Sequence, residues 1–507
     1  MSSARQAGFV TLGCLLAAAP VAAQASGLDV ARRYRQTHEA EILHAYAGLL
    51  ELPNGASDSA GIARNAEYLR ARLAELGVAA ETWTLAGVPP IVFGELRAPG
   101  ATRTLGIYVH YDGQPADSSN WTTRPWEPTL YDRAIEAGGR RIPFPDAGAR
   151  VDPEWRLYAR SAGDDKAPLG ALLPVLEAFR EAGVTPTSNL KLFFEGEEEA
   201  GSPHLPDYLD RYRDRLDDID VWLFFDGPVH QSGRPLLTFG VRGVTGLEVT
   251  VYGANRSLHS GHYGNWAPVP GQMLASLLAS MKDESGRVRI DGFYDSTEEI
   301  GADERAALAA LPDYDASLKR ELGLARTEGE PAMLAERLLL PSLTIRGLAS
   351  GNVGALARNV IPSTATAALG VRLVKGNDPE RMLDLVEAHI RKQGYHIVRE
   401  DPDSATRLRY PKIAKVTRDI GYPAARTRMD APIVRRVVSA VRDAAGDGLV
   451  LQPALGGSLP LYLFTDRLGK PAVIVPIANH DDNQHAPDEN LRIANLWYGI
   501  DLYGALL

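Results

Sequence analysis

The stretch Asn189–Ser202, NLKLFFEGEEEAGS, sets the terms on which this chain can fold. Its first half is an apolar run of the fully buried strand type, and it ends abruptly in Glu195, Glu197, Glu198 and Glu199. Four carboxylates cannot all stay charged inside a fold unless something strongly positive sits among them. An acidic surface turn would avoid the difficulty. Loops at strand ends, however, are where α/β proteins carry their chemistry. No basic run supplies the balancing charge, so a metal cation is the first candidate.

The same device recurs along the chain. Thr104–Asp112, TLGIYVHYD, is a buried strand ending in His110 and Asp112, and residues i and i+2 of a strand point the same way. Leu157–Ala162 leads to Asp164-Asp165-Lys166, ahead of a helix expected from Pro168 to about Ala182, where an aspartate is ordinarily an N-cap. Val221–Asp226, VWLFFD, ends in Asp226. Parallel strands lying side by side would gather His110, Asp164, Glu198/Glu199 and Asp226 at one edge of a sheet. One imidazole and several carboxylates make a divalent-cation site, with zinc or manganese as candidates.

A chain of 507 residues, 45% of them apolar, should divide into two or three domains. Residues 1–25 read as a secretory signal: Arg5, an apolar stretch Gly8–Ala23, then Ala23-Gln24-Ala25. The expected product is exported, to the periplasm or beyond. The only cysteine, Cys14, lies inside that signal, which excludes thiolate ligands and nucleophiles from the mature chain. Without Arg5 the chain carries 53 basic against 64 acidic residues, a balance that argues against a nucleic-acid partner. No later segment approaches 18 apolar residues, so no membrane span is expected.

The rhythm of periodic segments gives a fold class: α/β, a mixed sheet with helices on both faces, interrupted by an α+β insert. The expected units are 26–240, an insert over 241–425, and a returning α/β segment over 426–507. Leu28–Leu50 and Ala60–Gly77 have helical spacing. Tyr131–Trp155, with Arg133, Arg140 and Arg141, reads as a surface excursion beside the site that could favour acidic substrates.

Taken together, VHYDGQP, WEP, LYAR…DDK, EGEEEAGS, GVRG, LHSG, NVIP, GVRLV, GGSLP and HDDNQH resemble the dinuclear zinc exopeptidases. That family includes carnosinases, nonspecific dipeptidases, glutamate carboxypeptidases, aminoacylases and succinyl-diaminopimelate desuccinylase. The likeness spans nearly the whole mature chain, and its texture is that of the carnosinase-like dipeptidase branch. It implies two Zn2+ per subunit, with Mn2+ or Co2+ as substitutes: His110 and Asp226 on one ion, Glu199 and His485 on the other, Asp164 bridging. Spacing alone leaves Glu197, Glu198 and Glu199 interchangeable. The family's register selects Glu198 as general base and Glu199 as ligand, with Asp112 orienting His110.

The resemblance also implies an activity: hydrolysis of the amide bond of a dipeptide or short peptide next to a free carboxylate, by a water shared between the ions and deprotonated by Glu198. Arg372 would meet the carboxylate, and Asn359, Gly457 and Ser458 would supply further donors. His259, in the insert, is implied to complete the partner subunit's site in a homodimer. An N-acyl amino acid deacylase would use the same ligands. A non-catalytic binding protein would be expected to have lost some of them, and none is lost. Two positions depart from the family: Ala167 stands where a glycine is usual, and Leu455 where the dipeptidase branch carries a glutamate, which bears on how a free amino group is held.

Overall fold

A computed structural model describes residues 26–507, so the expected signal over residues 1–25 lies outside the described residues. In chain order the principal strands are β1 (Ala79–Trp83), β2 (Ile91–Leu96), β3 (Thr104–His110), β4 (Asn189–Glu195), β5 (Val221–Phe224) and β6 (Leu236–Thr238). There follow β7 (Gly243–Tyr252), β8 (Ser342–Ala349), β9 (Thr364–Leu373), β10 (His396–Val398), β11 (Ile413–Arg418), β12 (Val450–Gln452) and β13 (Ala472–Ile474). One mixed sheet has eight strands in the order β1-β2-β4-β3-β5-β13-β6-β12, and a second has five in the order β8-β9-β7-β11-β10.

In the large sheet β4, β3, β5 and β13 run parallel, so their C-terminal ends share one edge. Period-2 alternation explains why these runs are apolar throughout: both faces are covered. Leu190, Leu192 and Phe194 of β4 join a core with the helices Lys166–Ala182 and Ile493–Leu506. Phe193 turns to the other face, against Trp222, Phe224 and Phe464. Trp222 lies so close to Gly106 that a Cβ there would meet its ring at 2.6 Å.

The second sheet lies wholly within residues 243–418, backed by helices Pro270–Met281 and Pro379–Lys392 over its own core. The chain enters and leaves it along a two-stranded ribbon in which Val241 pairs with Ala425 and Gly240 with Arg426. Gly243 makes that passage possible, since a Cβ there would meet the Ala424 backbone at 2.5 Å. No helix of the described residues is long and apolar enough to cross a membrane.

Two expectations need correction. The helical stretch Leu28–Leu50 is two helices, Gly27–Thr37 and Glu39–Leu50, broken at His38, whose backbone leaves the helical region at φ −132° and whose ring stacks on Tyr34 at 4.1 Å. Asp164 does not follow a strand of the large sheet. The short strand before it, Arg156–Tyr158, belongs to a separate three-stranded antiparallel sheet with Thr129–Tyr131 and Asn490–Arg492.

Candidate metal centre

Each candidate ligand arrives by a local device. His110 is the last residue of β3, buried, and Asp112 two residues on takes the backbone N–H of Glu198 at 3.1 Å and of Glu199 at 2.9 Å. Asp112 thereby clamps the glutamate turn beneath the imidazole, its Oδ1 standing 3.4 Å from His110 Nδ1. Asp226 follows β5, which pairs in parallel with β3. Asp164 sits in the turn before helix Lys166–Ala182. His485 lies in a loop closed by the Asn490 N–H donating to the Asp482 carbonyl at 2.8 Å, and it adopts a left-handed φ of 61°. A non-glycine residue in that region is held there by its surroundings and is often functional.

Asp164 is central. Its Oδ1 lies 3.0 Å from His110 Nε2 and its Oδ2 3.0 Å from His485 Nε2. His110, Asp164 and Asp226 form one group whose ligand atoms all lie within 4.8 Å of one another, and Asp164, Glu199 and His485 form a second. The three glutamates separate. Glu197 turns away to His204 Nδ1 at 3.0 Å, Glu199 lies 3.3 Å from His485 Nε2, and Glu198 stands 3.9 Å from His110 Nε2 as a member of neither group.

The donor set fits divalent cations. Burial, with Asp164 close by, lifts the Glu199 carboxyl to about 7 and the Asp226 carboxyl to about 6. Burial also pushes Glu198 well above the carboxylate range, and Asp226, Asp164 and Glu199 add to it against the opposing His110. Burial alone would raise Asp164 as well, but contacts with His110 and His485 hold it well below its ordinary value. Among the described residues Asp226 Oδ2 is buried with no hydrogen-bond partner. A cluster with this excess of buried carboxylate lacks positive charge, and its oxygen and imidazole donors suit ions such as zinc.

Several contributors have little signal in the sequence. Gln114 Nε2 donates to Glu199 Oε2 at 2.8 Å and Gln484 Nε2 to Asp164 Oδ2 at 2.7 Å. Both stand within motifs already quoted, VHYDGQP and HDDNQH, and could have been found by asking what holds each ligand. Glu489 accepts the N–H groups of Ser161, Gly163 and Asp164 and pairs with buried Arg160 at 2.6 Å.

The remaining candidates fall into two places. Arg372 Nη1 donates to Ser458 Oγ at 2.6 Å, and a Cβ on neighbouring Gly457 would meet nothing within 4 Å, so open space adjoins that pair. His259 and Asn359 sit apart from the carboxylate cluster, on an exposed ribbon where His259 pairs with Val360 and the Ser260 N–H donates to the Asn359 carbonyl. The Tyr131–Trp155 excursion touches the His485 loop once, through Glu136 and Asn483 at 3.0 Å, and then docks along helix Glu39–Leu50 through His44, Glu41 and Glu39.

A sheet edge carrying two carboxylate–imidazole groups that share one aspartate is the mark of an α/β metallohydrolase. The chain belongs to peptidase family M20/M25/M40, whose model matches residues 106–507, and it is a metallopeptidase. It is 27% identical to the Cys-Gly metallodipeptidase dug1 of Schizosaccharomyces pombe over 428 residues, 82% of each chain. It is also 27% identical to the human Beta-Ala-His dipeptidase over 430 residues, 82% of this chain and 77% of that one. Among solved structures it resembles the M20 family metallo-carboxypeptidase Sso-CP2 of Sulfolobus solfataricus, with TM-score 0.72 and 26% identity over 92% of this chain and 98% of that one.

Proposed function

We propose that this protein is an exported zinc-dependent exopeptidase that cleaves dipeptides or short peptides beside a free carboxylate. The observation that carries the reading is the placement of Glu198 next to, but outside, both three-residue groups. His110 and Asp226 would hold one ion, Glu199 and His485 the other, and Asp164 both. When bound, such ions supply polarisation of the scissile carbonyl and render water acidic enough to lose a proton. Glu198 takes that proton and returns it to the amine nitrogen as the C–N bond breaks and the new C–O bond forms. A carboxylate whose proton affinity burial has raised is suited to this exchange. Asp112 fixes the glutamate turn, and Arg372 with Ser458 receives the substrate carboxylate through a planar guanidinium.

The test is hydrolysis of a dipeptide panel by zinc-reconstituted protein, with Glu198→Gln alongside. Activity should fall by about two to four decades in the variant, with metal content and fold unchanged. Substantial activity in Glu198→Gln, or a reconstituted protein that binds no metal, would refute the reading.

A further inference from the structure

A cavity of about 320 Å3 is lined in part by the segment that follows Asp226. One wall begins two residues beyond Asp226, at Pro228 and Val229, and the Val229 N–H is fixed to the Ala478 carbonyl at 2.8 Å. Another wall is Leu455-Gly456, immediately before the open Gly457 and Ser458. The roof is Leu311, Tyr314, Leu334 and Leu338, from the helical segment between Pro270–Met281 and β8. Gly456 keeps the passage clear, since a Cβ there would meet Leu338 at 3.2 Å. The cavity thus touches both the Asp226 loop and the loop that carries Ser458, the two ends of the reaction site.

The chemistry of its walls is one-sided. Among the described residues no lysine or arginine lines it, and the one carboxylate there, Asp315, is engaged by the Leu334 N–H at 2.8 Å. His230 carries Ser232 on its Nδ1 at 2.8 Å, and burial, with His480 and Arg234 nearby, lowers its proton affinity. Gln452 is turned to the Ala454 carbonyl at 2.9 Å. Half-exposed Leu334 is left facing the void, 42% accessible. An anionic substrate group entering here would lose its hydration and meet no counter-charge, a cationic one would meet only Asp315, and an apolar group would gain burial along most of the wall.

We infer that this cavity is the specificity pocket, and that it takes an uncharged apolar side chain of a substrate residue flanking the scissile amide. Its size is at the lower end of ligand pockets, about 300 Å3 and upward, and leaves ample room for a side chain as large as leucine or phenylalanine. Leu455 is the specificity-determining residue, because it lies between the cavity and the Ser458 loop. This rests on the peptidase reading above and adds the substrate class.

Two dipeptide series, X-Ala and Ala-X with X as Leu, Phe, Asp or Lys, test it with the zinc-loaded protein. At one of the two positions Leu and Phe should exceed Asp and Lys by about 100-fold in kcat/KM, the range a shaped apolar pocket provides. Leu455→Glu should cut the apolar substrates at that same position by about 10-fold and raise the lysine substrate by a similar factor. Leu334→Glu, at a partly exposed position where folding is not at stake, should shift preference the same way. A flat profile at both positions, or a preference that neither variant moves, overturns the pocket while leaving the peptidase intact. A metal-loaded protein that hydrolyses nothing in either series overturns both.

Discussion

Glu489 accepts the backbone N–H of Asp164 at 2.9 Å, from 325 residues further along the chain. The contact follows from strand pairing: Asn490 lies opposite Tyr158, which sets Glu489 against the turn after that strand. The same carboxylate takes the N–H groups of Ser161 and Gly163 and the guanidinium of Arg160, all buried. It is the mould in which the central aspartate is cast.

Glu489→Gln removes the charge that balances Arg160, whose side chain is 3% exposed. Breaking a buried pair in this way costs about 3–5 kcal/mol, so the melting temperature should drop. Because the turn is also the seat of Asp164, zinc affinity should fall by about 10–100-fold, as for other residues that orient ligands. Chelator competition measures the second effect separately. A lowered melting temperature with wild-type zinc affinity would reduce Glu489 to a purely structural role.

Much of this centre is legible in the sequence. Strands buried on both faces must be apolar throughout, so an abrupt charged ending stands out, and the parallel strands β3, β4 and β5 do bring His110, the glutamates and Asp226 to one edge. Helices Pro270–Met281 and Pro432–Ala445 each open on a proline, a residue suited to the first turn of a helix. Glu489 was not legible, because its role is created by a pairing across more than 300 residues that leaves no local pattern. The sequence marks Asp164 for an incomplete reason, since three-residue strands of a side sheet and strands of a main sheet look alike in sequence. Three adjacent glutamates are chemically equivalent until backbone clamps such as Asp112 turn each in its own direction.

Asp482 gives a pH dependence of known sign. Its Oδ2 is buried without a partner among the described residues, and burial, with Glu489 close by, lifts the carboxyl to about 8. An unfolded aspartate titrates near about 3.9. Between those values the folded state binds the extra proton, so this group's stabilising contribution is complete below about pH 4 and is lost as the pH rises toward 8. In metal-free protein, Asp482→Asn should therefore flatten the fall in stability across that window, by up to about 1.4 kcal/mol per pH unit. Urea unfolding at pH 5, 6.5 and 8 measures it. An unchanged slope would mean that Asp482 is ionised in the folded state throughout.

The last prediction concerns a second copy of this chain. β8 is an edge strand of the five-stranded sheet, and Ile345 and Leu348 are exposed on it. The same surface continues through Val353, Leu356 and Val360, with Trp266 79% exposed beyond His259. A bulge between Ile345 and Gly347 blunts backbone pairing along this edge, so it is the exposed apolar side chains that mark an interface. Two copies meeting there about a twofold axis would form an isologous contact. That contact would also bury the ribbon carrying His259 and Asn359, where the imidazole lies against His262 and accepts the Gly261 N–H. In such a dimer His259 serves the partner's centre as a donor to the developing oxyanion, a role worth about 3 kcal/mol. Glu198→Gln and His259→Ala homodimers should then each be nearly inactive. After subunit exchange at equal concentrations about half the dimers are mixed, and each mixed dimer has one centre free of both lesions, so about a quarter of wild-type activity should return. Mixed dimers that form but stay inactive, or a fully active monomer in sedimentation, would show that each chain carries a complete centre of its own.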